Sequence, residues 1–281
     1  MIKATYRSGT GKEYDITFGQ FYLFTSQFRG YQWTPETTEL SIGVSVDRFT
    51  KKPKTYKATI VVIGDHVTRH EALDELHSNF EADIYNLTPS RIYINGSYIE
   101  CYINQSQVMD KETDVATVDE IEIYCPYPFW IEEQVEVFRN EGAQTTEGGK
   151  IYDYEYPYRY GKSARVNRYI EVDHYAPSNF IMSITGNAND VSINIGDNVY
   201  AVDYPIYDGD RLVIDSRNTA ESDRRVYIVH DDGTVSNVFN WRSTRYSIFE
   251  KIPAGKTMVS YSGNLDVQIT ILKERSEFPW K

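Results

Sequence analysis

One run, Val118–Trp130, constrains this chain more than any other: Val-Asp-Glu-Ile-Glu-Ile-Tyr-Cys-Pro-Tyr-Pro-Phe-Trp. Ile121, Ile123 and Cys125 alternate with Glu120, Glu122 and Tyr124, the period of a strand with one apolar face. Pro126 and Pro128 then fix φ and remove backbone donors, so no central strand continues through them. Tyr127, Phe129 and Trp130 crowd large rings around the two prolines. The spacing predicts a rigid aromatic corner at Pro126, Tyr127, Pro128, Phe129 and Trp130 that closes a first domain, residues 1–134.

Size agrees with a divided chain, since 281 residues correspond to about two domains. Tyrosine is abundant, 24 residues, which suits strands and contact surfaces, where a ring buries area while its hydroxyl finds a partner. A net charge of −12 argues against wrapping nucleic acid, which needs cations to neutralise phosphate. The opening Met-Ile-Lys-Ala-Thr-Tyr-Arg has no apolar signal region and no stretch reaches the length of a membrane span, so a cytoplasmic origin without membrane insertion is expected. Cys101 and Cys125 both fall on predicted strands and are expected to be buried reduced thiols.

Before the corner, Ile2–Tyr6 and Tyr14–Phe18 read as short strands around a turn at Gly9-Thr10-Gly11, and Phe21–Phe28 as an aromatic strand or loop. Leu40, Ile42, Val44 and Val46 alternate with polar residues, and Thr55–Ile63 is the expected partner strand. That pairing predicts a long hairpin arm whose tip, Phe49–Lys54, is basic. Arg48, Lys51, Lys52, Lys54 and Lys57 are the candidate contact residues of this arm, against a solvated turn as the alternative. The one convincing helix is 68–86. Thr68 and Glu71 fit a capping box, and Leu73, Leu76, Phe80, Ile84 and Leu87 form one stripe. Asn95-Gly96 between two apolar runs predicts a tight type I′ hairpin.

After the corner, 135–164 reads as linker and tyrosine-rich segment. Tyr152, Tyr154, Tyr156, Tyr158 and Tyr160 recur at period two and, if extended, point one way. Domain packing, a protein contact ladder and a sugar-stacking platform all remain open for them. From 165 to 281 the chain is a series of short strands with Gly/Asp turns: 165–172, 180–185, 191–195, 199–203, 211–215, 226–230, 256–261 and 267–272. Even spacing of this kind predicts a β-sandwich or jelly roll. The tail Phe278-Pro279-Trp280 is aromatic enough to dock on something.

Catalytic patterns do not rise above background. His66, His70 and His77 lack zinc-hydrolase spacing, the cysteines form no Cys-x-x-Cys pair, and neither a nucleophile elbow nor a phosphate loop occurs. Asp208, Asp210 and Asp215 are weak glycosidase candidates, better explained as turn residues. The Asn187–Asp190 and Asp231–Asp232 oxygens are incomplete as calcium loops. No catalytic residues, metal or cofactor are expected.

The order of these elements resembles the distal tail proteins of long-tailed, siphovirus-like bacteriophages. The resemblance spans the chain. It is strongest over 1–135, through the single helix, the Asn95-Gly96 hairpin and the Pro-Tyr-Pro-Phe-Trp close. Ile206–Asp215 and Phe249–Gly255 resemble strand-turn segments of C-terminal phage tail sandwiches. What the resemblance implies is a mainly β fold: an N-terminal β-sandwich with one packed helix and a hairpin arm, then a galectin-like C-terminal sandwich. It also implies a non-enzymatic structural protein of the virion tail tip, assembled in the host bacterial cytoplasm. Such a protein forms a hexameric ring joining the tail tube protein to the tail hub and can carry receptor-binding proteins. Lys51, Lys52 and Lys54 would meet acids such as Asp110, Glu112, Asp114, Asp119 and Glu120, or those acids would line a DNA-repelling channel. Two rival readings are a carbohydrate-binding adhesion protein, using the tyrosine ladder or Trp241, and a glycoside hydrolase.

Overall fold

The computed structural model of the chain describes residues 3–109, 115–139, 168–217 and 225–279. The structure is mainly β, as expected. Its contacts divide the chain into two units, residues 1–132 with 274–281, and residues 133–273.

The first unit contains β1 (Ala4–Arg7), β2 (Glu13–Asp15), β3 (Phe21–Ser26), β4 (Thr34–Glu39), β5 (Val44–Thr50), β6 (Lys54–Ile63), α1 (His66–Tyr85), β7 (Ser90–Ile94), β8 (Ser97–Val108), β9 (Ala116–Cys125) and the start of β10 (Trp130–Phe138). Two antiparallel ladders share β8. Its first residues pair with β7, and its later ones with β9. On one side β1 and β2 extend the β7 ladder; on the other, β6 and β3 extend from β9. In β6, Tyr56, Ala58, Ile60 and Val62 are buried while their neighbours face out, the alternation that marks a half-covered sheet.

Residues Asn95 and Gly96 take φ values of 50° and 83° between β7 and β8, the two left-handed positions of a type I′ turn. The helix begins earlier than the capping-box reading placed it. Asp65 is the N-cap, accepting from the backbone amides of Val67 and Thr68 at 3.1 Å, and Thr68 donates its own hydroxyl to Asp65. The expected stripe is correct at Leu73, Leu76 and Phe80 but not at Ile84 and Leu87, which are exposed. Arg69, Ala72 and Asp83 take the remaining buried places. Asp83 accepts the Tyr6 hydroxyl at 2.9 Å and the Gly9 amide at 2.9 Å. This approach is why residue 9 is glycine: a Cβ there would lie 2.5 Å from the Thr88 carbonyl oxygen.

The hairpin arm exists, but with a different partner. β5 pairs with β4, and β6 pairs with β3 and β9. The tip is therefore at 40–43, where Gly43 has φ 78°, and the lysines lie at the arm's root. Alternation along 40–46 reveals a face, not a partner. β4, Thr-Pro-Glu-Thr-Thr-Glu, carries almost no apolar signal.

The second unit holds the rest of β10, then β11 (Arg168–Val172), β12 (Asn179–Asn187), β13 (Val191–Ile195), β14 (Asn198–Val202), β15 (Arg211–Asp215), β16 (Val226–Val229), β17 (Val235–Asn237), β18 (Gly255–Tyr261) and most of β19 (Asn264–Arg275). One sheet runs β17-β16-β15-β12-β19, the other β11-β18-β13-β14. Phe180, Met182, Leu212, Ile214, Ile228 and Ile269 from the first meet Ile170, Ile193, Tyr200, Val202 and Val259 from the second in one core. Two antiparallel sheets closed face to face on alternating apolar residues make a β-sandwich.

The last residues return to the first unit. There Phe278 is buried against Trp130, with ring centroids 4.9 Å apart, and under the Arg29 guanidinium at 3.8 Å. The tyrosine ladder at 152–160, the linker at 141–150 and the acids Asp110, Glu112 and Asp114 lie outside the described residues.

Candidate functional site

The arm, β4 with β5, is the feature of the first unit that burial does not explain. It forms a two-stranded sheet of its own, paired with no other strand among the described residues. Its register pairs Pro35 with Phe49, Thr37 with Val46 and Glu39 with Val44, with a bulge between Glu36 and Thr37. Those residues share one face, on which Pro35, Val44, Val46 and Phe49 form an apolar patch beside Thr37 and Glu39. The other face holds Glu36 and Arg48, paired at 2.6 Å, and Thr38, which donates to Asp47 at 2.7 Å. At the tip, Ile42 is 91% exposed. Leu40, Val44, Val46 and Phe49 are each at least half exposed. Isolated two-stranded hairpins are marginal in water, and this one exposes its apolar side chains to solvent.

The root is rigid. Phe129 packs on Trp33 at 5.8 Å and on Tyr127 at 5.0 Å, and the Tyr127 hydroxyl donates to Glu274 at 2.8 Å. Trp130 is buried between Phe28 and Phe278. The corner read from the sequence thus braces the arm. Lys51 lays its ammonium 4.2 Å from the Phe129 centroid and 5.5 Å from Trp33. That nitrogen is buried with no hydrogen-bond partner among the described residues. Burial, then the nearby Lys54 charge, pushes its pKa down to about 8, against a weaker pull from Glu277. Lys54 donates to the Gly30 carbonyl and sits over Tyr56.

The predicted contact residues therefore separate. Lys51, Lys52 and Lys54 line one cavity of about 430 Å³ with Tyr31, Gln32 and Pro53. Arg48 lies on the arm's polar face, and Lys57 on β6 pairs with Glu122 at 3.0 Å. Asp119 is not a surface acid. It is fully buried, accepting from Ser106 at 2.7 Å and lying 2.9 Å from His77 Nε2, a clamp between α1 and the sheet. Glu120 is exposed.

In the second unit two acids hold loops. Asp215 binds Arg217 at 2.8 Å, and Asp210 lies 3.0 Å from His230 Nδ1, whose Nε2 lies 2.9 Å from Ser236. That Asp-His-Ser chain has the order of a hydrolase triad. Ser236, however, sits within the short strand β17, opposite buried Ile228, and the chain clasps the hairpin whose turn is 230–234. Among the described residues no cluster of three or more His, Cys, Asp or Glu could hold a metal. No helix among them is long and apolar enough to cross a membrane.

No family model and no curated protein matches the chain. Solved structures do. A chain of the phage P2 baseplate in its activated conformation with calcium aligns with a TM-score of 0.66 at 10% identity, over 99% of this chain and 100% of that one. The same baseplate with strontium gives 0.65 at 11% identity, over 99% and 100%. The SPP1 Dit protein, described as a paradigm of the hub adsorption apparatus in phages infecting Gram-positive bacteria, gives 0.59 at 11% identity, over 98% and 99%. At this identity the likeness is one of fold. The chain has a fold similar to that of phage distal tail and baseplate hub proteins.

Proposed function

We propose that the protein is a structural component of a phage tail tip. In this reading its copies close into a hexameric ring that joins the tail tube protein to the tail hub and can carry receptor-binding proteins. It assembles in the host cytoplasm and ends in the virion, and it runs no reaction. The observation that carries the reading is the arm: a hairpin with one apolar face, exposed, on a rigid aromatic root. Full-length likeness in fold to baseplate and Dit chains supports the setting. Cyclic closure needs two different patches on each copy, meeting head to tail. An arm of six- and seven-residue strands plus its tip supplies part of a standard interface, which takes about 20–30 residues a side. Negative-stain images of the purified chain test the ring. Six-fold annuli are expected, and scattered single particles would defeat it.

One observation favours a second reading, glycan binding. Trp241 is 54% exposed and meets Tyr204 edge-on at 5.4 Å, on backbone pinned where the Asp203 amide donates to the Trp241 carbonyl at 2.8 Å. A rigidly presented indole suits stacking on a sugar ring. Retention of the full chain on host cell walls, lost in Trp241→Ala, would support it; equal retention of the two would remove it.

A further inference from the structure

The start of α1 carries two imidazoles that the tail-tip reading does not use. His66 and His70 are four residues apart, so the helix sets them one above the other on a single face. Both are exposed, and their rings meet, with centroids 4.0 Å apart and planes inclined at 50°. His66 has no hydrogen-bond partner among the described residues.

We propose that His66 and His70 together chelate a divalent ion of the zinc, nickel or copper type. Imidazole nitrogens suit these ions, and a helical pair four apart is a spacing at which two histidines share one. Each ring gives the metal a single nitrogen, so the other nitrogen keeps any hydrogen bond it makes. The geometry is close to what chelation needs. Metal–nitrogen bonds of about 2.0–2.1 Å at a tetrahedral angle put the two nitrogens about 3.3 Å apart and the ring centroids about 5 Å apart. The rings therefore open by about 1 Å from their present contact, a small rotation for exposed side chains.

The local charge favours a cation. Asp65 seats its carboxylate on the amides of Val67 and Thr68 and so counters the positive end of the helix. Glu71 and Asp74 are exposed beside and one turn beyond His70. No group of three metal-binding side chains occurs among the described residues, so the chain supplies two ligands and water completes the shell. Val67 follows His66 at the position where a zinc hydrolase carries its glutamate, which leaves a bound water with no base. The site is thus a clip: it ties the first turn of α1 to the second. An unfolded chain does not hold the two rings together, so the ion stabilises the fold.

Titration of the untagged full chain, freed of metal by a chelator, tests the site. With ZnCl2 or NiCl2, calorimetry should show one ion per chain and the unfolding temperature should rise. MgCl2, whose ion prefers oxygen ligands, should give neither. His66→Ala and His70→Ala remove exposed side chains, and each should weaken binding by about tenfold or more and abolish the thermal shift. With Cu2+, the paramagnetic resonance spectrum should show coupling to two ring nitrogens in the native chain and to one in either variant. No saturable binding would overturn the proposal. Binding as tight in both variants as in the native chain would also overturn it, since the ion would then be adventitious and held elsewhere. The tail-tip reading is tested separately by oligomer mass and is untouched by either result.

Discussion

The ammonium of Lys51 rests 4.2 Å above the ring of Phe129, buried and without a hydrogen bond among the described residues. That contact joins the two parts of the chain that the sequence marks most clearly, the basic stretch at 48–57 and the Pro-Tyr-Pro-Phe-Trp corner. Ring attraction offsets part of the cost of removing the charge from water, but the depressed pKa shows that the offset is incomplete. The lysine therefore holds the arm's root together at some cost in stability.

Replacing it should make that cost visible. The folded pKa lies near 8, below the ordinary lysine value, so folding favours the neutral amine. The unfolded chain then binds more protons between about pH 8 and 10.5, and stability rises with pH across that window. Lys51→Met keeps the stem and should raise stability at pH 7 by about 1 kcal/mol, a figure reduced for partial solvent screening. The gain should fade as pH approaches 10.5. Urea unfolding of both proteins at pH 7 and pH 10 measures it, and a gain independent of pH would reject the explanation.

Histidine 77 should behave in the opposite way. Its hydrogen bond to Asp119 raises its pKa, outweighing burial, with Asp74 and Glu81 adding to the pull. A raised value in the fold means stabilisation that is complete below the unfolded histidine pKa, about 6.5, and lost as pH rises through the folded value. His77→Gln should therefore cost more stability at pH 5.5 than at pH 8.5, by about 1 kcal/mol. Equal losses at both pH values would mean the contact works by packing alone.

Two leucines, one on the helix and one just past its end, should respond differently. Leu76 has no exposed surface, and Leu76→Ala should cost about 2–5 kcal/mol. Leu87 is 78% exposed at φ 53°, a left-handed position after the helix end that glycine fills without strain. Leu87→Gly should be neutral or stabilising by up to about 1 kcal/mol. Thermal unfolding of the pair separates them, and a large loss in Leu87→Gly would show that the side chain has a packing role within one chain.

Neither cysteine should be reactive. Cys101 and Cys125 face each other across β8 and β9, both buried and free, and hydrogen bonding from Cys101 together with burial pushes the Cys125 thiol far above its usual range. Thiol reagents should label both in urea and neither in the native state. Rapid native labelling would mean that this ladder opens.

Local chemistry was legible in the sequence wherever a short-range rule decides the outcome. Asn95-Gly96 specified its turn, Pro126 and Pro128 ended β9, and the alternation from Phe180 to Leu272 gave most strands of the sandwich. Partnership was not legible. Leu40, Ile42, Val44 and Val46 show an apolar face, and a face is ordinarily a core face; here it is turned to solvent. Its partner β4 contains a proline and five polar residues, so the apolar pattern pointed to Thr55–Ile63 instead. Asp65 was missed as a cap because Thr68 and Glu71 also fit the capping pattern. Phe278 gave no sign of its seat, since Trp130 and Arg29 are distant in sequence. In the candidate site, the sequence singled out the corner and the lysines as candidates but put the lysines at the tip. The structure shows the tip to be Ile42, and the lysines to be its mounting.

That relocation changes the informative mutation. Changing Lys51, Lys52 and Lys54 together to Glu would damage the root as well as the surface, whereas Ile42→Asp touches only the tip. Ile42→Asp should leave the unfolding midpoint unchanged and lower the oligomer mass at moderate salt. An unchanged mass would show that the tip is not part of the contact.

The most direct test of the central claim is the mass of the unmodified chain in solution, measured by sedimentation equilibrium over a wide concentration range. The account predicts a closed species of six times the 32.6 kDa chain mass. A single species at 32.6 kDa up to the highest concentration reached would contradict it.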